Sequence, residues 1–217
     1  MSAPPDEPTR LDQLRLYRVL DTAAERAFDG LTRLAASICE TPIALISLVD
    51  EHRQWFKSKV GLDVDETPRT VAFCAHAIES RHSPFVVEDA SVDGRFSANP
   101  LVVGEPRIRF YAGAPLVVAS GAALGTLCVI DHRPRQLRPL QVQALETLRD
   151  AVVSLLELRR LRTEMESVAS LLPVCAWCRS VRDDTGAWIP PSLFLERGTR
   201  VTHSICPECL ATERGKN

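Results

Sequence analysis

Two pairs of cysteines near the carboxyl end carry the most definite chemistry in this sequence. Cys175 and Cys178 form one pair, and Cys206 and Cys209 form the other, each with a two-residue spacer. That spacer lets both thiolates of a pair reach one ion, and four thiolates make a soft tetrahedral set that suits Zn²⁺. A segment of about 40 residues cannot stabilise a core by itself, so the metal would supply its folding energy. We therefore predict a structural zinc site.

The same cysteines leave other chemistry open. Under oxidation the pairs could lose the metal and form disulfides, which would make the tail a thiol-based redox sensor or switch. Cys206-Pro207 is similar to a haem-regulatory Cys-Pro dipeptide, a weak signal by itself. Covalent c-type haem attachment is not indicated, because Arg179 rather than His follows Cys178.

The other three of the seven cysteines, Cys39, Cys74 and Cys128, lie singly in apolar stretches. Free cysteines in such places mostly act as small buried hydrophobic residues. Cys39 and Cys128 are expected on a helix stripe and a central strand. The set of exposed thiols that a thiol-based reductase needs is therefore not visible, and we expect no enzymatic activity.

Composition excludes several classes of protein. The 217 residues carry a net charge of −2, which gives no electrostatic case for nucleic acid or an anionic membrane. No run approaches the roughly 18 apolar residues that span a bilayer. The start, MSAPPDEPTR, lacks the basic and apolar regions of a signal peptide. We expect a cytoplasmic protein.

The stretch from Phe110 to Asp131 is predicted to form the central hairpin of a sheet. Its strands are Ala112–Val118 and Leu124–Ile130, and apolar residues on both faces place them mid-sheet. Gly125 removes a side chain where a backbone or ligand can approach closely. Strict alternation puts Leu124, Cys128 and Ile130 on one face and Leu127 and Val129 on the other.

Other elements flank this hairpin. The pattern predicts a first helix over Leu11–Leu20, and Thr22-x-x-Glu25 resembles a capping box that starts a second helix. Ile43–Val49 is a continuous apolar run, which is typical of a strand buried on both faces.

A long helix is predicted from Pro139 to about Leu172. Its apolar residues step by three and four, as in a coiled coil, and the seam shifts partway. We expect the first half to pack on its own sheet and the second half to pair with another copy, giving a homodimer. The seam residues are Leu145, Leu148, Val152 and Leu155, then Leu158, Leu161, Met165 and Val168.

Residues 10 to 158 resemble a GAF domain, the small-molecule-sensing fold of bacterial signalling proteins. The matching pieces are RLDQLRLYRVLDTAAERAFDGLTRLA, IALISLVDEHRQWFKSKVGL and ETPRTVAFCAHAI, followed by VEDASVDGRFSANPLV, IRFYAGAPL and LGTLCVIDHRPRQL. The resemblance implies an α+β fold: an antiparallel central sheet with helices on one face and a pocket roofed by loops and a short helix on the other.

Members of this family bind cyclic nucleotides, linear tetrapyrroles, haem or small metabolites, so the fold does not identify the ligand. Cys74 with His76 could be a reactive thiol and its base, or an attachment point for a tetrapyrrole, although tetrapyrrole-binding relatives usually carry Cys and His adjacent. A small buried thiol is the favoured interpretation. Arg109 could clamp a phosphate or pair structurally with Asp89 or Asp93. The residues that the resemblance implies for the pocket are Trp55, Phe73, Cys74, His76, Asp89, Arg109 and Tyr111.

The tail, residues 174–210, resembles a CxWC…RDDxGxW…HxICPxC module found behind bacterial sensory domains. The match includes His203, which we assign to the surroundings of the zinc or to an alternate ligand position. The predicted organisation is a disordered lead (1–9), a GAF domain (10–138), a signalling helix (139–172), a zinc-ribbon-like module (173–212) and a disordered tail (213–217).

Together these features predict a signal-transduction protein that senses a small molecule and relays it through a dimer helix and the zinc module. A kinase or regulator is the expected protein partner. A redox sensor using the paired cysteines, or a scaffold with a filled pocket, remain the alternatives.

Overall fold

A computed structural model of the chain describes residues 5–80, 84–169, 172–183, 185–190 and 201–214. It divides into two compact units, Met1–Arg160 and Leu161–Asn217. None of the helices in these ranges combines the length and the apolarity needed to cross a lipid bilayer.

The first unit contains a six-stranded antiparallel sheet in the order β3-β2-β1-β6-β5-β4. β1 and β6 occupy its centre, and every one of their residues is buried, as their continuous apolar sequences predict. The strands are β1 (Ile43–Val49), β2 (Arg53–Val60), β3 (Glu66–Pro68), β4 (Phe85–Val87), β5 (Phe110–Val117) and β6 (Ala123–Asp131).

Helices cover one face of the sheet, and short helices and loops cover the other. α2 and the first part of α5 bury one apolar cluster against the sheet, while α3 and its neighbours bury a second. This is the α+β arrangement that the sequence predicts. The helices are α1 (Glu7–Leu16), α2 (Arg26–Cys39), α3 (Phe73–Ala77), α4 (Pro100–Val103) and α5 (Pro139–Ala169), with 3₁₀ turns at Arg69–Val71 and Ile78–Ser80.

The central hairpin contains an irregularity that strict alternation misses. Pro115 pairs with Thr126, but the next pair is Val117 with Ala123, so two residues of β6 face one of β5. Such a bulge reverses the faces of the residues beyond it. Leu124 therefore packs with Leu127 in the apolar cluster between the sheet and helices α2 and α5, called the helix-side cluster below. The face predicted for Leu124 was wrong.

The predicted capping box is also wrong. Glu25 itself stands at the N-cap of α2 and makes no capping bond with its side chain. The buried Lys57 ammonium instead binds the Glu25 carboxylate at 2.7 Å and the Thr22 hydroxyl at 2.9 Å. An unpaired buried charge is costly, so the Glu25 and Thr22 side chains bind the Lys57 ammonium instead of capping the helix.

The N-terminal helix begins and ends earlier than predicted. α1 begins at Glu7, inside the segment predicted to be disordered, because the Asp6 carboxylate accepts a bond from the Thr9 N–H at 3.1 Å. It ends at Leu16 rather than Leu20, and Arg18 has a positive φ of 46°. Residues 1–4 of the predicted lead and 215–217 of the predicted tail lie outside the described residues.

Glu7 fixes α1 by binding two arginines, Arg10 and Arg69. The hydrogen bond from Arg10, and after it that from Arg69, lowers the pKa of this carboxyl to about 2, although burial opposes the shift. The folded-state pKa lies below the ordinary 4.5, so Glu7 contributes stability that is present above pH 4.5 and lost as the pH falls towards 2.

We therefore expect Glu7→Gln to flatten the loss of stability between pH 4.5 and 2. Urea midpoints measured across this range test the expectation. Replacing the exposed Glu79 by glutamine serves as the control and should reproduce the wild-type profile. Identical profiles for Glu7→Gln and the wild type would contradict the assigned ion pairs.

The second unit contains a small sheet in the order β10-β7-β8-β9, in which β10 and β7 run parallel. The Asp183 carboxylate closes the turn before β9 by accepting bonds from the Thr185 and Ala187 N–H groups. This compact unit begins at Leu161, within α5, and the predicted zinc module over residues 173–212 lies inside it. Its elements are β7 (Leu172–Cys175), β8 (Val181–Arg182), β9 (Trp188–Ile189), β10 (Val201–Ser204) and α6 (Pro207–Arg214).

Candidate functional site

A cavity of about 350 Å³ lies on the sheet face opposite α2 and α5. Its volume is in the range of small-molecule sites, and most of its wall is apolar, as such sites usually are. Strands β1, β2 and β6, the β2–β3 loop, α3 and the segment around α4 all contribute. The apolar lining consists of Leu45, Phe56, Leu62, Val64, Phe73, Leu101, Pro106, Ile108 and Ile130.

One corner of this cavity is polar and unsatisfied. Gln54 on β2 is only 5% exposed, yet its side-chain amide has no hydrogen-bond partner among the described residues. Its neighbour across the β2–β3 pairing is Thr67, whose buried hydroxyl also lacks a partner within that part of the chain. Buried polar groups are almost always paired, so the unpaired Thr67 hydroxyl, with the Gln54 amide beside it in the same cavity wall, indicates a place where a polar group of a ligand can bind.

The rim of the cavity is acidic. Asp63, Glu66 and Glu105 line it, and no lysine, arginine or histidine of the described residues does. Glu66 is paired with Arg53, and Glu105 with Arg107. The electrostatics therefore disfavour an anionic ligand.

A larger depression of about 710 Å³ lies beside the first cavity and is open. Its charged groups satisfy one another, because Arg53 binds Asp21, Asp50 and Glu66. Thr67 lies in the wall of both hollows, but the charged groups that make up most of this open depression are engaged with one another, and we assign no site there.

The structure separates the predicted pocket residues. Phe73 and Cys74 line the cavity. Trp55 lies on the other face of the sheet, in the helix-side cluster, because alternation on β2 turns Phe56 rather than Trp55 towards the cavity. His76 is exposed and contacts the Phe96 ring edge-on at 5.0 Å, so it does not reach Cys74 as a base in this geometry.

Asp89 and Arg109 have local structural roles. Asp89 accepts bonds from the Ser91 N–H and hydroxyl, which lower the pKa of its carboxyl. Arg109 donates to the backbone carbonyls of Val102 and Ile108. Arg109 forms no ion pair with Asp89 or Asp93, although its charge contributes to lowering the pKa of Asp89. Its role as a phosphate clamp stays a prediction.

Tyr111 and Phe73 belong to an aromatic group beneath the cavity. The Phe73 ring stacks on Phe96 with centroids 4.1 Å apart and lies 5.3 Å from the Tyr111 ring. The Tyr111 hydroxyl donates to the Cys74 sulfur at 3.2 Å. Both aromatic residues are core residues, and Tyr111 also brings a polar group to the thiol.

Sequence reasoning missed Gln54, Thr67 and the whole β2–β3 loop. The one available signal was a glutamine opening an otherwise apolar QWF strand segment, since a polar residue on a buried strand asks for a partner. Residues 101–108 also line the cavity, and the sequence marked them only as part of a long irregular connection, a kind of segment that is often functional.

The second unit gathers the four tail cysteines into one cluster. Their sulfurs all lie within 4.8 Å of one another, and those of Cys178 and Cys206 are 3.7 Å apart. A zinc–sulfur bond of about 2.3 Å places tetrahedral sulfurs about 3.8 Å apart. The residues present therefore fit a tetrahedral ion of this size, and the predicted four-cysteine set is brought together.

The electrostatics of the cluster also fit a cation. Backbone N–H groups, that of Cys206 first, hold the pKa of the Cys175 thiol down at about 6. In contrast, its bond with Cys206 and burial raise the pKa of Cys209 to about 12. Four crowded sulfurs cannot all ionise without a positive charge among them. A divalent ion would supply it.

His203 lies outside this cluster. It is on β10 opposite Val174, and its side chain is exposed. Its predicted role around the metal stays a prediction.

The six-stranded sheet, its helical layer and the cavity on the opposite face define a sensory-type α+β domain. The model of the GAF domain family matches residues 23–156. The chain belongs to the GAF domain family.

One related protein and three solved structures illustrate this family. A cyclic di-GMP phosphodiesterase of Pseudomonas aeruginosa is 51% identical over 138 residues, which make up 62% of this chain and 23% of that protein. The GAF domain of an Acinetobacter phosphoenolpyruvate-protein phosphotransferase is 20% identical, with a TM-score of 0.52, covering 70% of this chain and 95% of its own.

The other two structures are more distant in sequence. The blue-light-absorbing PixJ GAF domain of Thermosynechococcus elongatus is 14% identical (TM-score 0.53), covering 77% of this chain and 97% of its own. The free methionine-R-sulfoxide reductase of Neisseria meningitidis, solved with its substrate, is 15% identical (TM-score 0.51), covering 75% and 96%. These likenesses show the fold alone.

Proposed function

We propose that this chain is a sensory signal-transduction protein whose GAF domain binds a small, mostly apolar molecule without net negative charge. The observation that carries the proposal is the unpaired, buried Thr67 hydroxyl beside the Gln54 amide in the wall of a cavity of about 350 Å³. Family membership supports a sensory or signalling role. An amide and a hydroxyl offer both donors and acceptors, so the ligand would carry a neutral polar group at one end.

The cavity argues against phosphorylated ligands. Phosphate recognition uses arginine, lysine or a helix N-terminus, whereas the described lining here carries only acids as charged groups. The activity named for the Pseudomonas relative belongs to a protein of which the match covers only 23%, and we do not carry it over. We propose that this chain is not an enzyme.

The signal would leave the domain through α5. Leu145, Leu148, Val152 and Leu156 are buried against the sheet, so a ligand-dependent change in the sheet can shift this helix. Leu158, Leu161 and Met165 farther along α5 are exposed, and their spacing of three and four supports pairing with a second copy. The side chain of Val168 lies outside the described residues. A kinase or regulator remains the proposed protein partner.

A second function is favoured by the four-cysteine cluster. We infer that it holds a structural zinc ion, with Cys175, Cys178, Cys206 and Cys209 as the ligands. The ion would supply the positive charge that lets the four sulfurs ionise together.

The binding role of Gln54 is tested by comparing two buried glutamines. Gln54→Leu is expected to leave stability unchanged or slightly raised, because its amide gives up no bond inside the protein. Gln141 is 6% exposed, but its amide joins Ile38 and Arg138 through two bonds of 3.0 Å. Gln141→Leu should therefore cost about 1–3 kcal/mol in urea unfolding. A comparable cost for Gln54→Leu would overturn the assignment of its amide to a ligand.

A thermal-shift screen then tests the ligand class. We expect small neutral or cationic heterocycles and amides to raise the melting temperature of the wild type, and to lose most of that effect in Gln54→Leu while keeping it in Gln141→Leu. Cyclic AMP, cyclic GMP and cyclic di-GMP should produce no shift. A shift from any of these nucleotides that Gln54→Leu abolishes would overturn the proposed class.

A further inference from the structure

Two buried thiols meet beneath the cavity, on elements far apart in sequence. Cys74 on α3 and Cys128 on β6 have their sulfurs 3.9 Å apart, and the residues are 1% and 0% exposed. The pair belongs to the first unit and is separate from the four-cysteine cluster of the second. Neither ligand recognition by Gln54 and Thr67 nor zinc binding by the tail cysteines depends on this thiol pair.

Hydroxyl groups surround one of these sulfurs. The Thr126 and Tyr111 hydroxyls both donate to Cys74 Sγ, at 3.0 and 3.2 Å, and Ser47 Oγ lies 3.5 Å from Thr126 Oγ1. A thiol that only fills space in an apolar core needs no donors, whereas a thiolate is stabilised by them. The surroundings of Cys74 are therefore those of a nucleophile.

The pKa values of the two thiols are shifted in opposite directions. Burial opposes ionisation of Cys74, but hydrogen bonds from Cys128, Ser47, Thr126 and Tyr111 outweigh it and lower the pKa of Cys74 to about 7. Burial and the neighbouring Cys74 raise the pKa of Cys128 well above its ordinary value. Cys74 is thus the attacking thiol and Cys128 the resolving one.

The cavity gives a small solute access to Cys74. Cys74 lines the cavity and Cys128 does not, so a small solute in the cavity meets the more acidic thiol first. The thiol of Cys39 offers a contrast. It is buried on α2, in the helix-side cluster, and burial raises its pKa to about 11.

We propose that Cys74 and Cys128 form an oxidisable thiol pair that reacts with hydroperoxides entering through the cavity. The Cys74 sulfur attacks the peroxide O–O bond, becoming a sulfenic acid while water or an alcohol leaves with the thiol proton. The Cys128 thiol then attacks that sulfur, forming the disulfide and releasing the sulfenic oxygen as water. The two thiols lose two electrons and two protons, which reduce the hydroperoxide.

Oxidation would also reshape the cavity. A disulfide requires a sulfur–sulfur distance of about 2.05 Å, so the Cys74 side chain, or α3 with it, must move towards Cys128. α3 carries Phe73 and Cys74, which form part of the cavity wall. The disulfide would therefore change the shape of the cavity wall, whether or not a ligand is bound.

The experiment is peptide mapping of the full-length protein after treatment with hydrogen peroxide. Trypsin places Cys74 in residues 70–81 and Cys128 in residues 110–135, each as the single cysteine of its peptide. We expect these two peptides to become linked by a disulfide that dithiothreitol cleaves. The Cys39 peptide should stay reduced, and oxidation of the tail cysteines appears in other peptides.

Variants separate the two roles. Cys128→Ser should stop the reaction at a Cys74 sulfenic acid that dimedone traps, and Cys74→Ser should leave Cys128 reduced. Thr126→Val should slow alkylation of Cys74 at pH 7 about fivefold, the fall in thiolate fraction expected when a pKa of about 7 rises by about one unit, and move its pH profile upward. The proposal is overturned if Cys74 and Cys128 both stay reduced, or if Cys39 oxidises as fast as Cys74.

Discussion

Cys206→Ser is expected to remove zinc from the protein and to unfold the second unit while leaving the first intact. Cys206 is 2% exposed, its sulfur lies 3.7 Å from that of Cys178, and its N–H group donates to Cys175 Sγ at 3.4 Å. The substitution thus removes a ligand at the position where the two pairs meet. A hydroxyl is a much poorer zinc ligand than a thiolate.

The expected effect is large because the described part of this unit has few other stabilising contacts. Its described strands are two to four residues long, and its described buried apolar side chains are Val174 and Val181, beside Cys175 and Cys206. Structural zinc sites in small peptides contribute about 10–16 kcal/mol at neutral pH. A segment of about 40 residues has no comparable hydrophobic contribution with which to replace it.

Elemental analysis with thiol titration measures the outcome. The wild type should hold about one zinc per chain, with the tail thiols protected until a chelator is added. In Cys206→Ser, zinc should be lost and limited proteolysis should begin within residues 172–214. Cys39→Ser replaces a buried cysteine of the first unit and should keep its zinc. Full zinc retention in Cys206→Ser, or reactive tail thiols in zinc-loaded wild type, would contradict the structural role.

The local pattern of apolar residues was enough to predict the helices and strands whose surroundings are the same along their whole length. Ile43–Val49 is apolar throughout because β1 is covered on both faces, and its predicted bounds agree with the structure. The long helix begins at Pro139 as predicted, although it ends at Ala169 and Leu172 already belongs to β7. Its buried stripe continues from Val152 to Leu156 rather than to the predicted Leu155, a step of four that keeps the stripe facing the sheet.

The site was harder to predict because contacts distant in sequence create it. Thr22 and Glu25 have the spacing of a capping box, but Lys57 from β2 takes their side chains. Cys74 and Cys128 each looked like a lone buried thiol, and only the folded sheet shows that they meet. That the Thr67 hydroxyl is buried without a hydrogen-bond partner among the described residues likewise depends on the folded surroundings. No spacing rule encodes such partners.

Gly125→Ala is expected to be among the most destabilising single substitutions in the first unit. A Cβ at this position would lie 1.9 Å from the Ser47 carbonyl oxygen and 2.8 Å from Leu48 Cα. Both atoms are backbone of β1, the strand paired with β6 at the centre of the sheet, so no side chain can move aside. The two central strands would have to separate, at a cost of about 3 kcal/mol or more. The free energy of urea unfolding of the first unit measures this cost, followed by tryptophan fluorescence in a background where Trp177 and Trp188 of the second unit are replaced by phenylalanine, so that Trp55 is the reporter.

Gly30→Ala is the matched control, because it makes the same chemical change where space is available. Gly30 lies within α2, and a Cβ there meets no atom within 4 Å. Alanine in a helix interior is favoured over glycine by about 0.5–1 kcal/mol, so this variant should be slightly more stable than the wild type. The two substitutions should thus shift stability in opposite directions. A loss below about 1 kcal/mol for Gly125→Ala would mean that β1 and β6 do not approach as closely as described, since a contact this short has no inexpensive relief.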